Sequence, residues 1–398
     1  MKVAVVVVVA LGLAGPAAAF PSMIRHGYAS CQACHVDPSG GGQLSAYGRA
    51  QSDLLVGWHL EPSVIAEGEA SPTTGFLFGL VPLPEQLNLS GNLRGGGLYN
   101  MSSTGEGAGA RPLLMAADAA ASVQVEWFLA HLTLGFANKN VGPAAVVSVN
   151  SGPDNALVSR EHWLGVRLVD DALTIRAGRI PLPFGLRNNE HTSLVRDLTR
   201  TDINVDQQHG LALAWNGEGL RAELMGIAGN YQVRPDAFRD RGYAGFVEWT
   251  PATTLAIGAS SLMAWTEKDL DVGLPLWRQS HGVFARYAPI KSVAILGEAD
   301  LIANVASSTA YGIGGAGWLQ IDVEPIQGVH VAPAFELAKA DATTQYATSG
   351  GWVTLSWYPL PHTELRGDVA WRRAFPSSSS PASPVGTFTA LLQLHLFL

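Results

Sequence analysis

The sequence predicts an all-β fold: a closed, antiparallel, transmembrane β-barrel of about 16 strands that follows a small, partly helical N-terminal domain. Three features predict the barrel. From about residue 86 onward, residues alternate with a period of two; in 363–372, for example, Leu365, Val369 and Trp371 alternate with Arg366 and Asp368. The alternating runs are about 9–13 residues long, which matches a membrane-crossing strand of about 9–11 residues and exceeds the usual globular strand of about 5–6. Short and long connections also take turns along this part of the chain.

The number and spacing of the alternating runs favour a barrel over a soluble β-sandwich, which would show the same alternation in shorter strands. The runs lie near 86–99, 113–124, 128–138, 159–168, 172–180, 209–216, 219–229, 243–250, 253–265, 280–287, 291–302, 310–322, 326–338, 349–358, 362–373 and 387–398. Their number is even, as in single-chain outer-membrane barrels. An even number of strands places both ends of the barrel, and with them the N-terminal domain, on one side of the membrane. Short periplasmic turns and long external loops are typical of such barrels, so that side is predicted to be periplasmic.

A C-x-x-C-H motif, Cys31-Gln32-Ala33-Cys34-His35, lies near the N-terminus, and its two cysteines are the only ones in the chain. Two thiols at this spacing can each form a thioether with one vinyl group of a single haem, and the histidine that follows then supplies the proximal ligand of the iron. A zinc site would need about four ligands, and the chain has no second cysteine pair. A redox dithiol would be expected in a βαβ unit. The motif therefore predicts one covalently bound haem c, held by Cys31, Cys34 and His35.

The sixth ligand of the iron is left open by the sequence. His59 is the preferred candidate, because a predicted helix between Gln43 and Leu55 gives the chain enough length to pass around the haem. His26 and Met23 are the alternatives, and an open or water-bound iron is the fourth possibility.

Composition and the positions of proline and small residues divide the rest of the chain into segments. Residues 1–19 have a basic residue, an apolar run and small residues before the cut, and are predicted to be a secretory signal peptide. Residues 20–60 form the predicted monohaem domain, and residues 61–85 form a proline-containing linker with an apolar patch at 76–81 that is expected to dock against some other surface. The barrel is assigned to residues 86–398. A net charge of −8 with no cluster of basic residues argues against nucleic-acid binding.

A barrel of this size is expected to enclose an aqueous lumen, into which the polar face of each strand points. The predicted inward charges are Arg167, Arg176, Arg221, Glu223, Glu248, Arg286, Glu298, Asp300, Glu364, Arg366 and Asp368. Both signs are present, so no strong ion selectivity is predicted. The third external connection, 181–208, is long and mixed in charge. It is either a constriction or binding site folded into the lumen, or a solvated surface loop.

In its whole organisation the chain resembles the fused cytochrome–porins, which have a signal peptide, one N-terminal C-x-x-C-H and a porin-like barrel. Cys31, Cys34 and His35 match the haem motif of this family. The best-known members are outer-membrane cytochromes of iron-oxidising bacteria, which are thought to take electrons from extracellular ferrous iron. The resemblance implies an outer-membrane electron-transfer protein with no catalytic residue of its own. Because the apolar band of such a barrel is about 25 Å tall, one haem held in or at the lumen could face both sides of the membrane. We therefore expect the N-terminal domain to plug the barrel and to pass single electrons between an extracellular donor or acceptor, such as a metal ion, and a periplasmic c-type cytochrome. Two alternatives are a diffusion porin whose haem domain is a plug, gate or sensor, and a haem enzyme such as a peroxidase.

Overall fold

The computed structural model describes residues 21–58, 72–105, 108–138, 155–187, 193–306, 311–340, 346–376 and 383–398. The predicted signal peptide and His59, the preferred sixth haem ligand, lie outside these residues. Sixteen antiparallel strands form one closed barrel in which each strand pairs with its sequence neighbours and β1 pairs with β16. The predicted fold class and number of strands are confirmed.

The strands are long, and most of them exceed the predicted runs at the ends. Their bounds are β1 Leu87–Ser102, β2 Gly109–Val125, β3 Phe128–Asn138, β4 Asn155–Leu168, β5 Leu173–Ile180, β6 Gln208–Gly217, β7 Leu220–Gly229, β8 Arg241–Ala252, β9 Leu255–Thr266, β10 Leu276–Ile290, β11 Val293–Ala306, β12 Tyr311–Ile326, β13 Val329–Lys339, β14 Tyr346–Leu360, β15 Thr363–Pro376 and β16 Val385–Phe397. In β10, for example, the ladder continues to Leu276, four residues beyond the predicted run. Polar residues there interrupt the apolar alternation, so the pattern did not indicate this end of the strand.

The two faces of the sheet are chemically distinct. In β7, Leu220 and Leu224 are exposed on the outer face, whereas Arg221, Glu223 and Met225 are buried on the inner face. The same pattern runs around the barrel, so the outer surface is an apolar belt of the kind that faces lipid. Aromatic side chains are exposed near both edges of the belt, as they are in membrane barrels. Examples are Trp127, Trp249, Tyr287 and Trp277.

The connections distinguish the two ends of the barrel. At one end, which we call the short-turn end, seven connections of two to four residues join β2 to β3, β4 to β5 and so on to β14 and β15. The barrel begins and finishes at this same end. The other connections, of four residues or more, lie at the opposite, long-loop end, and the largest covers residues 181–207. The predicted alternation of short and long connections is therefore present.

The N-terminal part of the chain is largely irregular. It contains a 3-10 helix, Pro21–His26, and an α-helix, α1, Ala46–Val56. Ser45 caps α1 by accepting a hydrogen bond at its Oγ from the Gly48 N–H, as expected for a serine at this position. Helix α1 corresponds to the helix predicted between Gln43 and Leu55. No helix among the described residues is long and apolar enough to cross a membrane, a test that does not apply to strands.

The apolar patch at 76–81 lies beside the turn between β14 and β15. Phe78 packs against His362 of that turn, with ring centroids 5.5 Å apart. Phe76 is partly buried, whereas Leu80 is 81% exposed. Leu77 and Phe78 adopt positive φ angles. Docking of the patch is therefore observed at Phe78 and stays a prediction for its other residues.

Candidate functional site

The N-terminal segment Pro21–Trp58, which we call the plug segment, lies against the inner wall of the barrel. Its contacts with the turns and strand ends of the barrel are at the short-turn end. The Trp58 N–H donates to the Tyr358 carbonyl at 2.9 Å, and Gln327 Nε2 donates to the Leu54 carbonyl at 2.8 Å. Gln32 Nε2 donates to the carbonyl of Asp171 at 2.8 Å, in the turn between β4 and β5. The plug segment therefore enters the lumen from the end where the barrel begins.

Apolar packing also holds the plug segment against the wall. Ile24, in the 3-10 helix, is fully buried and packs with Ala256, Ala288 and Ala294. These alanines point inward from β9, β10 and β11 and leave room for the 3-10 helix, which contacts β10 and β11. Further along the segment, Val36 joins the buried apolar cluster of the lumen wall. The segment is therefore packed against the barrel, and it does not hang below it.

The C-x-x-C-H motif forms one tight turn at this wall. The amide groups of Cys34 and His35 donate to the Cys31 carbonyl at 3.1 and 3.0 Å, and all three side chains are buried. Gly40 has a φ of +92°, and a Cβ there would lie 2.9 Å from the Cys31 Cβ. A Cβ on Gly48 would lie 2.2 Å from the Cys34 carbonyl oxygen. These two glycines therefore allow the following loop and helix α1 to approach the motif closely.

Buried ion pairs hold the loop that follows the motif. Asp37 contacts Arg176 of β5 at 2.9 Å and Arg187 at 3.1 Å. Arg176 also contacts Glu223 of β7 at 2.6 Å, and Ser39 donates a hydrogen bond to Glu223. Burial by itself would raise the pKa of Asp37, but the two guanidinium groups hold that pKa below its usual range. Asp37 is therefore ionised at neutral pH and anchors the plug segment to the wall.

A second charged cluster lies beside the first cysteine. Arg221 Nη1 is 2.8 Å from Cys31 Sγ, and its other nitrogens donate to Glu248 at 2.6 and 3.3 Å. Arg286 donates to the same carboxylate at 2.5 and 3.1 Å and to the Ala29 carbonyl at 2.8 Å. Glu248 is fully buried. One carboxylate thus orients two arginines, and both arginines contact the plug segment.

The described parts of the connection 181–207, which are residues 181–187 and 193–207, fold into the lumen, as in the inward-folded alternative of the prediction. Glu298 of β11 accepts from the Leu186 N–H at 2.8 Å, and Glu336 of β13 accepts from the Leu194 N–H at 2.9 Å. A short helix in this connection, α2 (Leu194–Thr199), contacts β11, β12 and β13. Arg187 Nη1 donates to the Gly40 carbonyl at 3.0 Å. The inward loop and the plug segment therefore meet inside the barrel.

The structure separates the two described candidates for the sixth haem ligand. Met23 is buried in one cluster with Cys34 and Val56. His26 lies by Glu324, with 4.0 Å between Nε2 and the carboxylate. Burial, together with the neighbouring Arg25, lowers the pKa of His26 to about 4, so this imidazole is neutral at pH 7 and forms no ion pair with Glu324. Met23 is thus in the cluster of the motif, and His26 faces the wall of β12.

The residues of the motif fit a covalently bound haem in their chemistry. Two thiols and an imidazole, the groups that such a haem requires, lie on one turn, and Gly40 presents no side chain to them. The sequence predicted this role for the motif, which stays a prediction, and it predicted the inward direction of Arg176, Arg221, Glu223, Glu248 and Arg286, which the structure has. It did not indicate that Asp37 pairs with Arg176 and Arg187, because these residues are distant along the chain and meet only when the plug segment is inside the barrel.

The fold and the buried polar lumen define a porin-like barrel. The structure is similar to OmpT of Vibrio cholerae, with a TM-score of 0.59, 10% identity and coverage of 78% of this chain and 99% of that chain. It is similar to an anion-selective porin from Comamonas acidovorans, with a TM-score of 0.56, 12% identity and the same coverage. The channel DcaP of Acinetobacter baumannii gives a TM-score of 0.56, 9% identity and coverage of 78% and 97%. No family model matches the sequence, and no curated protein matches it. At these identities the likeness establishes the fold.

Proposed function

We propose that the chain is an outer-membrane channel protein of porin architecture whose lumen is plugged from the periplasmic side by its own N-terminal segment. The observation that carries this proposal is the ring of contacts between the plug segment and the wall. The partners are spread around the barrel: Asn88 of β1, Arg176 of β5, Asn216 of β6, Arg221 of β7, Arg286 of β10, Asp322 of β12 and Tyr358 of β14. A segment held on all sides closes the path that the same fold leaves open in a diffusion porin.

The location rests on the apolar belt and its aromatic edges, which match an outer-membrane bilayer and make lipid the first partner of this protein. The short-turn end then faces the periplasm, by the usual asymmetry of such barrels.

Solute permeability tests the plug. Proteoliposomes that contain the full-length chain should swell slowly in small sugars, and a variant without residues 21–58 should swell fast. Because the deletion removes buried contacts, barrel formation in that variant is checked first by its heat-modifiable mobility in gels. If the intact protein and a folded deletion variant swell equally fast, the segment does not obstruct the lumen.

A second candidate function is electron transfer through one covalent haem, and the burial of Cys31, Cys34 and His35 inside the lumen favours it. When bound, the haem would supply one-electron redox chemistry. Cys31 and Cys34 would hold it and His35 would ligate its iron, while the surrounding wall limits access of water. The apolar band of a barrel is about 25 Å tall, so a redox centre in the lumen is closer to the external side than one below the barrel. The partners would be a periplasmic c-type cytochrome and an extracellular donor or acceptor.

Two measurements test this function. The pyridine haemochrome of protein made in cells with the export and haem-attachment machinery should show one haem c per chain. Liposomes loaded with an electron acceptor and offered a membrane-impermeant donor should then transfer electrons with the wild type but not with Cys31→Ala. Equal transfer by both proteins would eliminate the electron-transfer function and leave the plugged channel. A five-coordinate, high-spin spectrum would instead favour a haem enzyme or sensor.

A further inference from the structure

We propose that Arg221, Glu248 and Arg286 form a charge cluster that sets the redox potential of the haem bound at Cys31. This inference rests on the haem-dependent part of the proposed function. It assigns positioning roles to three residues of the wall that take no part in binding the iron.

The first step is proximity. Arg221 Nη1 lies 2.8 Å from Cys31 Sγ, so a group bonded to that sulfur lies directly beside this guanidinium. Arg286 holds the backbone two residues earlier, through the Ala29 carbonyl. The cluster therefore contacts the attachment turn at two points.

The second step is rigidity. Glu248 is fully buried and accepts hydrogen bonds from both arginines, so a guanidinium that swings toward solvent gives up an ion pair in a buried site and leaves part of the carboxylate without a donor. Arg221 also lies over the ring of Phe246, with 5.2 Å between its Cζ and the ring centroid, a further favourable contact for the cation. The charges are therefore fixed in position.

The third step is the sign of the effect. Two arginines and one glutamate give the cluster a net charge of +1. A ferric haem has one positive charge more than a ferrous haem, so a fixed cation nearby favours the ferrous form and raises the midpoint potential. Removing a positive charge should lower the potential, and removing the negative charge should raise it.

Opposite shifts from neighbouring substitutions provide the test. The midpoint potential of the full-length, haem-loaded protein in detergent is measured by titration with redox dyes. Arg221→Gln should shift the equilibrium with a given dye about tenfold toward the ferric haem. For one electron, this lowers the midpoint potential by about 59 mV. Glu248→Gln should shift it upward by a similar amount, and the double variant Arg221→Gln with Glu248→Gln should return near the wild-type value. Arg221→Lys, which keeps the charge, should also stay near it.

Arg278→Gln is the matched control. Arg278 is also a buried inward arginine with a carboxylate partner, Asp240, but it lies at the opposite end of β10. Its loss should leave the potential unchanged. A disturbance of structure alone would move Arg221→Gln and Glu248→Gln in the same direction or reduce their haem content, and either result overturns the inference. Unchanged potentials with full haem content overturn it as well. If the wild type has no haemochrome, the haem-dependent function and this inference fail together.

Discussion

Asp37→Ala tests whether buried charge holds the plug segment in place. The substitution removes a carboxylate that contacts Arg176 at 2.9 Å and Arg187 at 3.1 Å in a buried site. Loss of one partner of a buried ion pair costs about 3–5 kcal/mol, mostly because the remaining charge is left unpaired. Here Arg176 keeps Glu223, and Arg187 keeps the Gly40 carbonyl. The cost should therefore be near the lower end, about 3 kcal/mol.

This cost converts to an observable change in channel opening. If the plug segment leaves the lumen in an equilibrium that breaks these contacts, about 3 kcal/mol raises the open fraction about 100-fold. Single-channel recordings in planar bilayers measure that fraction directly. We expect rare openings in the wild type and frequent ones in Asp37→Ala.

The control is Asp236→Asn, which removes an exposed carboxylate paired with Arg239 and Arg241 at the long-loop end. It should leave the open fraction unchanged, because exposed ion pairs contribute about 0–1 kcal/mol. A folded Asp37→Ala protein with the same open fraction as the control would show that this ion pair does not hold the plug segment.

Three further predictions concern the same segment. Burial and Arg25 lower the pKa of His26 to about 4, so protonation of this imidazole opposes docking of the plug segment. The open fraction should therefore rise as pH falls from about 6.5 toward 4, whereas Asp37, with its pKa held low, should release the segment only in stronger acid. An open fraction that does not change with pH would contradict this prediction. Gly48→Ala should separate helix α1 from the motif, because its Cβ would lie 2.2 Å from the Cys34 carbonyl oxygen. The protein should then incorporate less haem, as measured by the pyridine haemochrome. Full incorporation would contradict the close packing. Ile24→Ala should weaken docking by about 2–4 kcal/mol, measured as faster proteolysis of the N-terminal segment, and unchanged proteolysis would show that Ile24 does not anchor it.

The sequence was most informative about the barrel wall. Alternation has a period of two in strands such as β5 and β7, so the inward direction of Arg176 and Glu223 follows from the pattern. The ends of the strands were less accurate, as at Leu276 in β10, because pairing continues through polar residues once the neighbouring strands are in register.

The amino-acid sequence by itself indicated about 16 strands, the orientation of their faces and the motif residues Cys31, Cys34 and His35, since each depends on spacing along a short stretch of chain. It also predicted that the N-terminal domain plugs the barrel. Only the tertiary structure decided that Asp37 meets Arg176 and Arg187, and that Arg221 contacts Cys31. These contacts join residues up to 190 positions apart. Closure of the sheet brings them together, and no local pattern encodes which charge in the lumen will find which partner.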